Sequence, residues 1–278
     1  MKISEVIEIV KKNCKGYGII DDATARDKIL YGETDKECTG VVTTIYASYD
    51  VIRKTNELGA NLIIAHESLF WNHGDHTDWL QENETFKLKK QLLDETGITV
   101  WRDHDYIHSS VLHDGEWRDG IFYGLACELG WTDYIEGDKE RSQYFRIPPT
   151  PTRELAQYLM EKMNLQGLKT MGSLDGVSEK VYIPMHIIGP DDNKELAFIE
   201  ENHIDTLLAM EITDFTVAIY MRDGAQAGLN KSILAAGHFN VEEPGMKWLA
   251  EKHLPTLLPD LPIAFVQAGD AYTMLLRQ

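Results

Sequence analysis

Short apolar runs alternate with amphipathic helical stretches along nearly the whole chain. Residues 1–13, MKISEVIEIVKKN, place apolar side chains at helical spacing. The run VVTTIYA at 41–47 is rich in β-branched residues and predicts a strand. Residues 49–58 have helical periodicity and stop at Gly59, a residue suited to the left-handed position after a helix. NLIIA at 61–65 is a second strand. A strand, a helix and a second strand at these separations make a βαβ unit, with parallel pairing and a right-handed crossover. The alternation continues with a helix over 84–95 that ends at Gly97, a strand over 98–101 and a helical stretch over 117–129.

The run IPPTPT at 147–152 holds three of the chain's nine prolines and is the best candidate for a linker. Beyond it the pattern restarts: helix 152–163, strand 180–188, helix 192–202 and strand 205–210. A helical stretch, strand 233–237, helix 245–252 and strand 263–269 complete it. This order predicts an α/β protein of two domains, 1–146 and 147–278, each around a mixed or parallel sheet.

In open α/β sheets, ligands gather beyond the carboxyl ends of the strands. Three predicted strands here deliver a histidine to that position. NLIIA runs into His66 and Glu67; the strand over 98–101 is followed by His104, with His108 four residues on; ILAAG runs into His238, with Glu242 four residues on. Imidazole is the commonest nitrogen ligand for first-row ions, and carboxylates bridge ions. Residues four apart on a helix share a face, so both members of such a pair reach one ion or adjacent ions. Taken singly, each histidine has a simpler explanation as a surface or hydrogen-bonding residue. Asp103, Asp105, His73 and Asp75 are likewise explained by loop polarity. Three coincident strand ends favour a divalent-metal site built from His66, Glu67, His104, His108, His238 and Glu242.

The charge count extends that expectation. Two divalent ions bring +4, and Glu67 with Glu242 supplies −2. The excess favours hydroxide, a bridging water and an anionic substrate such as a phosphate. The leading reading is a metal-dependent hydrolase acting on a small phosphorylated or nucleotide-like substrate, with Glu67 as ligand or general base and Glu242 as bridging ligand. The alternative is a non-catalytic metal-binding scaffold or regulatory protein. The ions would be zinc, iron, manganese, cobalt or nickel, which mixed nitrogen and oxygen ligands suit equally. No phosphate-binding or dinucleotide-binding glycine loop and no serine-hydrolase elbow occurs in the sequence.

Composition narrows the setting. The 278 residues are 43% hydrophobic and 26% charged, which is globular, and the formal net charge is −18. That field disfavours nucleic acid as a partner. No stretch is long and apolar enough for a membrane span, and the first residues lack the apolar segment of a signal peptide. Cys14, Cys38 and Cys127 lie far apart with no paired spacing, which points to the cytoplasm.

The motifs resemble the family of Nif-three-like dinuclear-metal hexameric proteins, whose members are often named GTP cyclohydrolase I type 2. NLIIAHESLFW is similar to a family strand that ends in two adjacent histidines, here His66 and Glu67. ITVWRDHDYIH is similar to a segment ending in a histidine and, four residues on, an aspartate, here His104 and His108. Gly237, His238 and Glu242 match a third motif, and DTLLAMEITD places Glu211 near the site. The resemblance implies two intertwined three-layer α/β domains in a homohexamer, with a pair of metal ions between the domains facing an internal cavity. Two positions depart from the family pattern. Glu67 stands where a histidine is usual and His108 where an aspartate is usual. Together they form an exchange that keeps four histidines and two carboxylates, which suggests that the two residues have traded roles across one metal.

Overall fold

The computed structural model describes residues 1–72, 74–188 and 192–275, so His73 lies outside the described residues. Its strands are β1 (Ile29–Tyr31), β2 (Val41–Thr44), β3 (Leu62–Ala65), β4 (Thr99–Arg102), β5 (Val111–His113), β6 (Glu116–Arg118), β7 (Tyr144–Pro151), β8 (Lys169–Gly172), β9 (Val177–Tyr182), β10 (Thr206–Ala209), β11 (Ser232–Ala235) and β12 (Ile263–Phe265). They form two five-stranded sheets and the small β5–β6 hairpin. The chain divides into two compact units, residues 1–124 with 245–268 and residues 125–244 with 269–278.

In the first unit the sheet order is β1-β4-β3-β2-β12, parallel except for β1 at one edge. All four residues of β2, β3 and β4 are buried, as strands covered on both faces require. The helix Tyr49–Glu57 crosses from β2 to β3 and starts at Ser48, whose hydroxyl accepts the Val51 N–H at 3.2 Å. The helix Glu84–Thr96 crosses from β3 to β4. Asn83 caps it by accepting the Phe86 N–H at 3.0 Å, and Gly97 ends it at φ +63°. Val42, Ile63 and Val100 from the central strands pack with Val51, Ile52, Phe86 and Leu93 from these helices. The helix Ile3–Lys12 buries Ile3, Val6, Ile7 and Val10, the spacing expected of one apolar stripe.

The second unit has sheet order β7-β9-β10-β11-β8, with parallel β9, β10 and β11 between two antiparallel edge strands. Its core joins Leu207 and Ile233 of the sheet to Ile199, Ala218 and Met221 of the helices Asn193–Glu201 and Val217–Gln226. Both sheets are therefore mixed, with a parallel centre, as the alternating pattern predicts.

Several local expectations change. The proline run at 147–151 is not a linker but the second half of β7. Proline lacks the N–H a central strand needs, but β7 is an edge strand and shifts register between Arg146 and Thr150, which accommodates Pro148 and Pro149. The contacts accordingly draw the units differently from a single division after residue 146: residues 125–146 belong with the second unit and 245–268 with the first. The helix expected over 117–129 is Gly120–Glu128, preceded by β6 and capped by Asp119, whose Oδ1 accepts the N–H of Ile121 at 3.0 Å and of Phe122 at 3.3 Å. The strand expected over 180–188 ends at Tyr182. The last helix begins at His238 rather than at 245, and continues through a π-helical turn, Leu249–His253. The final strand stops at Phe265, where its pairing with β2 ends.

Candidate metal centre

Three histidines meet in the first unit. His66 follows β3 directly, and His104 follows β4 by two residues at the start of the short helix Asp105–His108. The His66 and His104 rings stack with centroids 4.5 Å apart at 14°. His108 meets both edge-on, at 5.0 Å and 5.1 Å. A ligand nitrogen from each lies within 4.8 Å of the others, close enough to share one ion.

The surroundings fix these rings. Nδ1 of His66 lies 3.0 Å from the carbonyl oxygen of Asp103, Nδ1 of His104 lies 3.0 Å from Asp105 Oδ1, and Nδ1 of His108 lies 2.9 Å from Asp119 Oδ2. The Asp103 carbonyl and the Asp119 carboxylate are acceptors, which puts the proton of His66 and His108 on Nδ1 and the lone pair on Nε2. At His104 the Asp105 carboxylate, at 3.0 Å, is nearer Nδ1 than the Arg26 guanidinium, at 3.5 Å, and favours the same tautomer. This is the arrangement by which acceptors behind an imidazole orient it toward a metal. Asp119 thus has two tasks, capping the helix that follows and holding His108. Asp27 does similar work from a distant part of the chain, its carboxylate accepting the N–H of His104 at 2.9 Å and of Asp105 at 2.7 Å.

Electrostatics favour a neutral imidazole at His66. Burial first, then the neighbouring His104 and His108, hold His66 well below its ordinary pKa, so it stays uncharged and able to donate its lone pair. Beneath it, burial and then the charge of Asp27 push the Asp103 carboxyl well above the usual range. Asp103 is fully buried, not a polar loop residue. Glu67 does not join the three rings as a simple neighbour. Its Oε2 accepts 2.9 Å from Arg102, whose side chain is fully buried and whose Nε also donates to the His66 carbonyl at 3.0 Å.

The second unit carries its own cluster at the ends of its parallel strands. His186 lies four residues beyond β9, Glu211 two beyond β10 and His238 three beyond β11. Gly237, at φ +98°, makes the turn from strand to helix that presents His238. Glu211 Oε1 lies 2.6 Å from Nδ1 of His238 and 3.1 Å from Nδ1 of His186. Burial alone would raise the Glu211 carboxyl; His238 and then His186 outweigh it and hold it at about 2. Glu242, one turn along the helix and buried, has Oε2 2.9 Å from Nε2 of His238. His186, Glu211 and His238 again place ligand atoms within 4.8 Å of one another.

The residues expected from the sequence are thereby distributed: His66, His104 and His108 converge in the first unit with Glu67 beside them, and His238 with Glu242 pairs in the second. His186, Asp119, Asp27 and Arg102 are additional. His186 obeys the same strand-end rule as the others.

The profile of the family Duf34/NIF3 (NGG1p interacting factor 3) matches residues 1–268. The chain belongs to the DUF34/NIF3 family. A relative named GTP cyclohydrolase 1 type 2 homolog, from Clostridium perfringens, is 23% identical over 98% of this chain and 97% of its own length. A hypothetical protein of Staphylococcus aureus has a similar structure, with a TM-score of 0.70 at 16% identity over 99% of each chain. A Bacillus cereus protein related to NIF3 also reaches 0.70, at 12% identity over 99% of each chain. These similarities show the mixed α/β fold of this DUF34/NIF3 member, and its histidine and glutamate groups are suited to holding metal. Among the described residues no helix is long and apolar enough to cross a membrane.

Proposed function

We propose that this DUF34/NIF3 chain binds two divalent metal ions and is a metal-dependent hydrolase acting on a small, anionic, phosphorylated or nucleotide-like substrate. The observation that carries the reading is the convergence of His66, His104 and His108, each with Nδ1 on an acceptor. Imidazole nitrogens gathered around the buried His66 suit zinc, iron, manganese, cobalt or nickel. In this reading His66, His104 and His108 hold one ion, with Glu67 beside them as ligand or general base. His238 and Glu242, with Glu211 and His186, hold the other. A bound divalent ion supplies Lewis acidity toward a phosphoryl oxygen and makes water a better nucleophile at neutral pH. Arg102 fixes the Glu67 carboxylate, and its charge offsets that of Glu67, so the first ion's charge is left to attract an anion.

The same contact favours a second reading, a non-catalytic metal-binding scaffold, because Arg102 already engages the carboxylate oxygen that a general base would use. Turnover separates the two. Metal-loaded protein is assayed on a panel of phosphoesters and nucleotides, and activity lost in a folded His66→Ala variant supports the hydrolase. Metal binding with no turnover across the panel supports the scaffold. Absence of metal binding contradicts both. The homohexamer belongs to this reading, and light scattering that gives a mass below six chains removes it. We place the protein in the cytoplasm, in keeping with three free cysteines.

A further inference from the structure

A cavity of about 340 Å³ opens in the second unit beside the ligands just described. Glu211, His238, Lys169, Phe239, Asp270 and Tyr272 are among the residues lining it. The volume lies at the low end of small-molecule pockets, roughly 300–1,000 Å³, and suits a single nucleotide better than a larger cofactor. Two of these side chains offer aromatic surface. Phe239 packs edge-on against His238 with centroids 6.0 Å apart, and Tyr272 is 66% exposed. Lys169 Nζ stands 5.4 Å from the centre of the Tyr272 ring, so a cation and an exposed aromatic face occur together. The segment bearing Tyr272 is tied down, since Asp270 Oδ2 accepts the Gln166 N–H at 2.9 Å.

Charge decides what such a cavity accepts. Glu211 and Asp270 contribute −2 and Lys169 contributes +1, a sum of −1 that repels anions. A divalent ion on Glu211 and His238 turns that sum to +1. We propose that this cavity binds a nucleoside monophosphate, with the base against Tyr272 and the phosphate near Lys169 and the ion. The inference rests on the metal reading above and goes further by naming the ligand class, the residues that recognise it and the dependence of binding on metal.

Calorimetry on the full chain tests it, using the four ribonucleoside monophosphates, the matching nucleosides and inorganic phosphate. Each is titrated into manganese-loaded and chelator-stripped protein, with metal content measured in parallel. At least one monophosphate is expected to bind the loaded protein and to lose about tenfold or more in affinity on stripping. Tyr272→Leu should weaken it by about tenfold, in line with the usual worth of base stacking on an aromatic ring, and Lys169→Ala by about tenfold through loss of a charged contact to the phosphate, each without changing metal content. Loaded protein that holds metal yet binds no monophosphate overturns this inference and leaves the metal reading standing. Protein that takes up no metal overturns both. Affinity equal with and without metal, equal for phosphate or nucleoside alone, or unmoved by both substitutions also overturns the inference.

Discussion

The two histidine clusters obey one rule and differ in what stands among the rings. In the first unit the acceptors lie behind the imidazoles: a carbonyl for His66 and the carboxylates of Asp105 and Asp119 for the other two. In the second unit the acceptor, Glu211, lies among the ligands and takes Nδ1 of both His186 and His238. Burial differs as well. His66 is fully buried, whereas the His186 side chain is 46% exposed. On the two-ion reading, a metal would enter the first cluster through Nε2 with these hydrogen bonds intact; with Glu211 as a ligand, the second cluster would exchange its histidine–glutamate contacts for metal bonds. The first cluster is accordingly preorganised, and its ion should be the slower to leave under a chelator.

The largest expected effect comes from removing the foundation of the first cluster. Arg102→Met leaves Glu67 beside a buried gap and the His66 carbonyl without its donor, and should cost about 3–5 kcal/mol in urea unfolding. A loss below about 1 kcal/mol would show that the Arg102–Glu67 pair does not support this cluster.

Acid should act next, and in the first unit. Burial first, then His113, lowers His253 from 6.5 to about 4. Because its folded value lies below its unfolded one, its contribution is fully present above 6.5 and is lost as pH falls toward 4. The loss is about 3 kcal/mol. Unfolding free energies measured across that window should fall less steeply in His253→Phe than in wild type; identical slopes would remove His253 from the account.

A smaller change sharpens the comparison between the clusters. Asp119→Asn should weaken the first cluster's metal affinity by about 10- to 100-fold, or about 1.4–2.7 kcal/mol. Competition with a chromophoric chelator measures it, and the second cluster's ion should be unaffected. The smallest change is a control. Asn83→Ala removes a helix cap in the first unit and should cost about 1 kcal/mol in thermal or urea unfolding with metal content unchanged.

The sequence makes some of this legible and hides the rest for physical reasons. His66, His104 and His238 are visible because each follows an apolar run whose strand assignment holds. His186 is hidden because YIPMHII reads as a continuous strand, and only the break after Tyr182 turns it into a strand-end residue. Asp119 is hidden inside an expected helix that actually begins after it. Arg102 follows a strand run and gives no sign that its guanidinium is buried. The prolines at 148–151 look like a linker because local chemistry does not reveal that β7 is an edge strand. No local signal indicates that the last strand pairs with β2, far back in the chain. Periodicity reports the elements; long-range pairing decides which side chains meet.

Counting metal per chain tests the central claim most directly. Protein equilibrated in metal-replete buffer, freed of loosely held ions and analysed by elemental mass spectrometry should contain two divalent ions per chain. His66→Ala should remove one of them and His238→Ala the other, each variant remaining folded. One ion or none in the wild-type chain, or two ions retained in either folded variant, would contradict the account.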